Sequence, residues 1–354
     1  MRKLASIQKI ASIDPIPGAD SIEVASVLGW KCVVKKGEFN PGDMCVYIEV
    51  DSLLPDRTEF EFMKPRGMRV RTVKLRGQVS QGLAVPMSIL DGVKNMMPTE
   101  HGEMYETPWE EGDEVTDVIG ITKYEAPVPV SLAGEVKGMF PSFLNKTDED
   151  RIQSFPDILG KYPDVMCRVC EKLDGSSMTV YLRDGEFGVC SRNLDLKETQ
   201  ENTFWSVAMA MSLEEKLRGV GRNLALQGEL IGEGVQKNKY KIKGHTVMFF
   251  DVFDIDKHEY LPPSDAKHLL VDMDLSSVPY VQDILLGDHT VNSLIELATM
   301  QSAMNRDTLA EGIVVRSYRD VSETFQTPDG PKTVNRGRLS FKVISPTFLL
   351  KNDE

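Results

Sequence analysis

A chain of 354 residues is long enough for two ordinary domains. Its 41% hydrophobic and 27% charged residues are those of a soluble globular protein, and no stretch nears the roughly 18 consecutive apolar residues of a membrane span. The net charge of −13 excludes a generic polyanion binder. It leaves room for a local basic face, because screening confines such fields to about 10 Å.

Met1 to Lys9 breaks into charge too soon for a signal peptide. The cysteines are sparse and odd in number (Cys32, Cys45, Cys167, Cys170 and Cys190), which points to a reducing compartment rather than a disulfide framework. A cytoplasmic protein is the expectation. From Met1 to about Met97 the chain reads as short strands broken by turns. Ile22 to Val27 alternates at period two, and Trp30 to Val34 follows Gly29. Pro41-Gly42-Asp43 is a turn before Cys45 to Val50, and Arg69 to Leu75 is a strand closed by Gly77. This punctuation predicts a small β-barrel of OB-fold size. Residues from Asn95 to Trp109 read as a loop, and Gly112 to Gly120 as a segment completing or bridging the barrel.

Ala126 to Val130 favours extended backbone, and Gly134 to Asn145 is irregular. The expected organisation is therefore a barrel over residues 1–125, a linker over 126–145 and a second domain over 146–354. Two helix-like segments, about Thr199 to Arg218 and Thr290 to Met304, interrupt a series of strand runs. These runs are Cys167–Val169, Ser177–Leu182, Ala225–Gly228, Val247–Phe253, Gly312–Arg316 and Leu339–Ile344. Without βαβ alternation, the pattern predicts an α+β domain on antiparallel sheets.

Chemistry concentrates in that second part. Lys172-Leu173-Asp174-Gly175 is a candidate covalent nucleotidyltransfer site, with the lysine amine as nucleophile. Such a site also needs carboxylates for a divalent metal, cations for phosphates and an aromatic face for a base. Strand alternation puts Asp174 on the side of the amine. Gly175 is expected to let backbone approach the nucleotide. Glu229 ends one apolar strand and Glu311 precedes another, while Lys342 sits inside a third. One ring of the run Val247 to Asp254 would stack on a base, and alternation places Phe249 and Phe253 opposite Phe250. Cys167-Arg168-Val169-Cys170 has metal-ligand spacing, but no second pair or neighbouring histidine accompanies it, so it reads as two strand cysteines. Lys64, Arg66, Arg69, Arg71, Lys74 and Arg76 form a dense basic run on the expected barrel, and Arg69, Arg71, Lys74 and Arg76 are the nucleic-acid-binding candidates.

Lys172-x-Asp174-Gly175, Ser191-Arg192-Asn193, Gly228-Glu229, Phe249-Phe250-Asp251, Glu311-Gly312-Ile313-Val314 and Phe341-Lys342-Val343 resemble, in order and type, the motifs of the covalent nucleotidyltransferase superfamily. Over nearly the whole chain the sequence is similar to the Naegleria-type (fifth) RNA ligase family, in which an OB domain precedes the nucleotidyltransferase domain. Asp14-Pro15-Ile16-Pro17-Gly18 and Gly77-Gln78-Val79-Ser80 share in that resemblance. It implies ATP-dependent sealing of a 3′-OH to a 5′-phosphate, in nicked duplexes with RNA on the 3′-OH side. Lys172 would carry AMP. Arg192 would contact the ribose or the substrate phosphate, Glu229 the ribose hydroxyl, and Phe250 the adenine. Glu171 would join the ATP-binding set, Arg151 would meet the β/γ-phosphates and Lys342 the α-phosphate. Asp174 and Glu311, with Glu259, would serve Mg²⁺ or Mn²⁺. Many ligases carry a second lysine where Ser340 stands, so either Lys342 works alone or Arg338 substitutes. The expected protein is a monomer that binds RNA and no membrane.

Other readings share these residues. A DNA ligase or a GTP-using capping enzyme has the same lysine chemistry, but the chain stops about ten residues after Lys342, without room for a following OB domain. A non-catalytic OB-fold RNA-binding protein would be expected to lack Lys172 or Glu229, and both are present.

Overall fold

The computed structural model describes residues 3–98, 104–124, 136–199, 201–327 and 330–352. Of the expected linker, residues 126–135 lie outside the described residues. The chain divides into two compact units. Residues 1–126, 152–156 and 349–354 form the first, and 127–151 with 157–348 form the second. Residues 152–156 join the first unit through close backbone approach. Gly29 N donates to Gln153 O at 2.9 Å, and a Cβ at Gly29 would meet Gln153 Cα at 2.8 Å. Ser154 Oγ donates to Glu49 Oε1 at 2.6 Å.

The first unit is built on five antiparallel strands in the order β3-β2-β1-β4-β7: β1 (Ala5–Pro15), β2 (Ile22–Val27), β3 (Trp30–Lys35), β4 (Met44–Ile48) and β7 (Leu83–Pro86). A register irregularity between Ile10 and Ser12 bends β1. The strand thereby serves two small cores, one around Ile7, Val46, Ile48 and Phe60 and one around Ile10, Val27, Trp30 and Tyr47. The segment before Thr116 does bridge this sheet: Ile7 N donates to Asp113 O and Val115 N to Ala5 O. A hairpin of β5 (Val73–Leu75) and β6 (Gln78–Ser80) turns at Arg76 and Gly77, both with positive φ. Between Asn95 and Trp109, where a loop is expected, Asn95–Pro98 pairs with Met104–Thr107.

The second unit holds two antiparallel sheets. One has four strands in the order β15-β8-β16-β17: β8 (Met166–Lys172), β15 (Tyr280–Leu285), β16 (Gly312–Thr327) and β17 (Gly330–Ile344). The other has seven: Val136–Met139, β11 (Leu194–Leu196), β10 (Glu186–Cys190), β9 (Ser176–Arg183), β12 (Leu224–Gly232), β13 (His245–Asp254) and β14 (Glu259–Tyr260). Helices α1 (Thr203–Ala210), α2 (Leu213–Val220) and α3 (Pro263–Asp272) bury Phe204, Leu217 and Leu270 against Met178, Leu226 and Phe249 of the larger sheet. The single helix expected from Thr199 to Arg218 is two helices, broken at Ser212, whose φ is 51°. Asn202 caps the first, accepting from the Phe204 and Trp205 amides. Helix α3 escapes the sequence reading, although Pro263 at its first position is an ordinary start signal. Helix α4 (Val291–Ala298) is shorter than expected. All five cysteines are buried and free, and burial raises each thiol.

The hairpin of β16 and β17 is anchored by Glu323. Its carboxylate accepts from Tyr162 Oη at 2.7 Å and pairs with Lys161 Nζ at 2.5 Å and Arg336 Nη2 at 2.9 Å. Lys161 first, then Tyr162 and Arg336, hold the carboxyl down from 4.5 to about 2. A lowered folded pKa contributes stability above the unfolded value and loses it as pH falls toward the folded one. Glu323→Gln is thus expected to lower Tm at neutral pH, with the difference narrowing as pH drops below 4.5 toward 2. A difference independent of pH in thermal melts would remove this account.

Candidate active site

Lys172 is the last residue of β8 and pairs with Gly312 on β16. A Cβ at Gly312 would meet Val343 O at 2.1 Å, so β16 and β17 pack as closely as backbone permits. That packing brings Glu311, just before β16, to the amine: Lys172 Nζ lies 2.6 Å from Glu311 Oε2. Glu171 points to the other side of β8. Its buried carboxylate accepts from Ser302 Oγ at 2.5 Å and Ala303 N at 2.8 Å, and burial raises it despite those bonds. The Glu171 carboxylate therefore faces Ser302 and Ala303 rather than the Lys172 amine.

Leu173, Asp174 and Gly175 carry the chain from the four-stranded sheet to β9 of the seven-stranded one. Leu173 is buried with Cys170, Ile231, Tyr240 and Val278. Asp174 N donates to Tyr240 Oη at 2.7 Å, and the Asp174 carboxylate pairs with Lys239. Gly175 N donates to Glu229 Oε1 at 3.0 Å. A Cβ at Gly175 would meet Leu230 O at 2.4 Å and Glu229 Cγ at 2.8 Å. The close approach seen at this glycine is to β12.

Asp174, Glu229 and Glu311 thus surround Lys172. Burial alone pulls the amine down, but Glu311, then Glu229 and Asp174, outweigh it and leave the pKa above its ordinary value. Burial pushes Glu229 up to about 8; Lys172 opposes that rise, while Glu311 and Asp174 add to it. Glu311 is raised as well, first by burial. Oxygen donors of this kind fit Mg²⁺ or Mn²⁺. Among the described residues no three acidic, His or Cys side chains converge on one point; here ammonium groups take the nearest positions.

The remaining expected residues divide. Lys342 N donates to Asp150 O at 2.9 Å, and Arg151 bridges Lys342 in parallel, so the segment ending at Arg151 runs along β17. Arg151 is buried there. Arg192 is paired with Asp148 of the same segment. Ser340 Oγ donates to Glu149 Oε1 at 2.6 Å, and Arg316 joins that carboxylate at 3.1 Å. Arg338 is bidentate to Asp251, at 2.6 and 3.0 Å, and stacks on Tyr260. Its guanidinium is thus engaged by Asp251 and the Tyr260 ring, two residues before Ser340.

Phe250 occupies a β-bulge, since Gln227 pairs with Asp251 and the next residue, Gly228, pairs with Phe249. The extra residue shifts the alternation. Phe249 faces the helices while Phe253 lies in the cluster with Tyr181, so the two are not face-mates as expected. Phe250 is half-buried beside the cluster of Leu173, with Arg316 5.3 Å from its ring centroid. Glu259 does not join the site. It pairs with Asp254, six residues along β13 from the partner of Glu229, about 20 Å at the usual strand rise.

On the first unit, Arg69 is spent on Asp51 at 2.9 Å and on the Tyr124 ring, and Arg71 is half-buried. Lys74 and Arg76 remain exposed on the β5–β6 hairpin. Sequence reasoning missed Lys239 and Tyr240. Their signal was the alternate lysines from Lys237 to Lys243 directly after the Glu229 strand.

Gly175→Ala is expected to cost about 1–3 kcal/mol in denaturant melts, as overpacking against backbone does; a neutral result would contradict the close approach. Because Glu229 is raised, its stabilising protonated form is lost as pH rises from 4.5 to about 8. Glu229→Gln should therefore gain in Tm over wild type progressively through that window. A gap that shrinks with rising pH would refute it.

Residues 167–344 match the RNA ligase family model, and residues 4–87 match an OB-fold domain. Among solved structures, Naegleria gruberi RNA ligase with pyrophosphate is 38% identical, covering 100% of this chain and 99% of that one at TM-score 0.86. A mutant of that enzyme with ATP and Mn is 37% identical, covering 99% of each chain at TM-score 0.86. An apo mutant is 37% identical over 99% of this chain and 98% of that one, also at 0.86. No curated protein sequence matches. By family model, by identity over its full length and by fold, the chain belongs to the RNA ligase family, with an OB-fold domain ahead of a sheet-rich nucleotidyltransferase domain.

Proposed function

We propose that this chain is an ATP-dependent RNA ligase that joins 3′-OH and 5′-phosphate ends through AMP carried on Lys172. The observation that carries the reading is the half-buried Lys172 amine held among Glu311, Glu229 and Asp174, 2.6 Å from the first. In the first step Lys172 Nζ attacks the α-phosphorus of ATP. An N–P bond forms, the bond to the bridging oxygen breaks, and pyrophosphate leaves. The AMP then passes to the RNA 5′-phosphate, and the 3′-OH displaces AMP as the phosphodiester forms.

Asp174 and Glu311 would hold a divalent cation, Mg²⁺ or Mn²⁺, whose charge offsets theirs and the phosphates'. With carboxylate charge offset, burial is the remaining influence on Lys172, and burial favours the neutral, nucleophilic amine. Lys342 is assigned to the α-phosphate without help from Arg338, and Arg151 to the β/γ-phosphates. Arg192 takes the ribose or the RNA phosphate, Glu229 the ribose hydroxyl and Phe250 the adenine. The finer assignments are a nicked duplex with RNA on the 3′-OH side, a monomer, and the cytoplasm, which five buried free cysteines favour. Among the described residues no helix is long and apolar enough to cross a membrane.

Incubation with α-³²P-ATP or α-³²P-GTP and divalent metal, followed by a denaturing gel, tests the reading. Label is expected from ATP alone, and its loss, by more than about a hundredfold, in a folded Lys172→Ala protein. Label persisting in that variant would sink the assignment, and label from GTP alone would move it to capping chemistry.

A further inference from the structure

The segment between β12 and β13 carries Lys237, Lys239, Lys241 and Lys243 in eight residues, Gln236 to Lys243, with no acidic residue. It does so in a chain of net charge −13. The alternate lysines do not share one environment. Lys239 turns inward onto the Asp174 carboxylate, two residues from Lys172, and Tyr240 beside it is buried and bonded to Asp174 N. Lys237, Lys241 and Lys243 are exposed, as is His245. Lys241 faces Asp307 in a pair that is largely in solvent, 2.8 Å apart with both side chains at least 70% exposed. Such a pair contributes little and yields readily to a stronger anion.

The loop is also held in shape. Gln236, Lys237, Asn238 and Lys241 all have φ between 44° and 60°, a conformation that costs non-glycine residues about 1 kcal/mol or more each. The Asn238 side chain ties the loop to itself, donating to Ile242 O at 2.9 Å and accepting from Ile242 N at 3.1 Å. Asn305 Nδ2 donates to Lys239 O at 2.8 Å, and Gln236 Nε2 to Gly175 O at 3.4 Å. Buried Val235 and Tyr240 fix its base. The loop therefore presents lysines outward from a held backbone while its inner side touches the Lys172–Gly175 turn. Lysines carried on a backbone held in this way suit a run of phosphates, since the loop itself need not be ordered on binding.

We infer that the Gln236–Lys243 loop is a docking surface for the phosphate backbone of the RNA being joined, with Lys237, Lys241 and Lys243 as its contacts. The inference rests on the ligase reading and adds where, beside Lys172, the RNA strand is held. ATP offers the same phosphate chemistry, so the test separates the two. The full chain and its Lys237→Ala/Lys241→Ala/Lys243→Ala variant are compared for binding of a fluorescein-labelled nicked duplex by anisotropy across salt concentrations. They are also compared for lysine labelling across ATP concentrations.

The variant is expected to bind RNA roughly tenfold or more weakly at low salt, with a salt slope shallower by about one for each lysine that meets a phosphate. Its labelling by ATP should superimpose on wild type, which also shows that it is folded. The single reversal Lys243→Glu should weaken RNA binding in the same direction. Unchanged affinity and slope would overturn the inference. So would a shifted ATP dependence with RNA binding intact, which would give the loop to the nucleotide. A wild-type protein that neither labels with ATP nor seals RNA would instead sink the ligase reading itself, visible before any variant is made.

Discussion

Everything at the site hangs on the passage of the chain from one sheet to another within three residues. Leu173, Asp174 and Gly175 leave β8 and enter β9 with no slack, because Gly175 lies against the backbone of β12. That contact orients Glu229 through the Gly175 amide and places Asp174 under Tyr240. The second close approach, Gly312 against Val343, sets Glu311 at the amine. Two positions without room for a methyl group thus locate three carboxylates around one lysine. Neither glycine serves flexibility; each removes bulk so that strands can meet.

The charged groups of this pocket are disposed in a way that suits its chemistry. Three carboxylates face the ammoniums of Lys172 and Lys239. Glu311, then Glu229 and Asp174, hold the pKa of the amine above its ordinary value, and a protonated amine is inert as a nucleophile. In the proposed function, a divalent cation at Asp174 and Glu311 would offset that influence. Around the pocket, cations are largely committed to structure. Arg316 and Arg338 share Asp251, and Arg316 also reaches Glu149, where Ser340 donates. Ser340 thus gives the Glu149 carboxylate a neutral hydroxyl partner beside the charged Arg316.

How much of this was legible in the sequence follows from the range of the contacts. The antiparallel character of the second unit is readable from strand patterns, and the order of the motifs and the grouping of Lys172, Asp174, Glu229 and Glu311 from their resemblance to the nucleotidyltransferase motifs. What escaped depends on partners distant in the chain. Arg338 is taken by Asp251, 87 residues earlier, and Glu171 by Ser302, 131 residues later. A bulge at Phe250 broke the period-two rule that would have set Phe249 beside Phe253. Ser212 split a helix that the sequence reading ran together, and Glu259, expected at the metal, pairs instead with Asp254 at the end of β13.

The buried cysteines carry a consequence of another kind. Cys32 and Cys45 lie in the first unit and Cys167, Cys170 and Cys190 in the second. Burial suppresses the thiolate, the reactive form, in all five. The native protein is therefore shielded from oxidants and alkylating reagents, and each thiol reacts only when its own surroundings open. The two sets of cysteines form internal clocks, one per unit. The order in which they become modified reports which half of the enzyme loosens first.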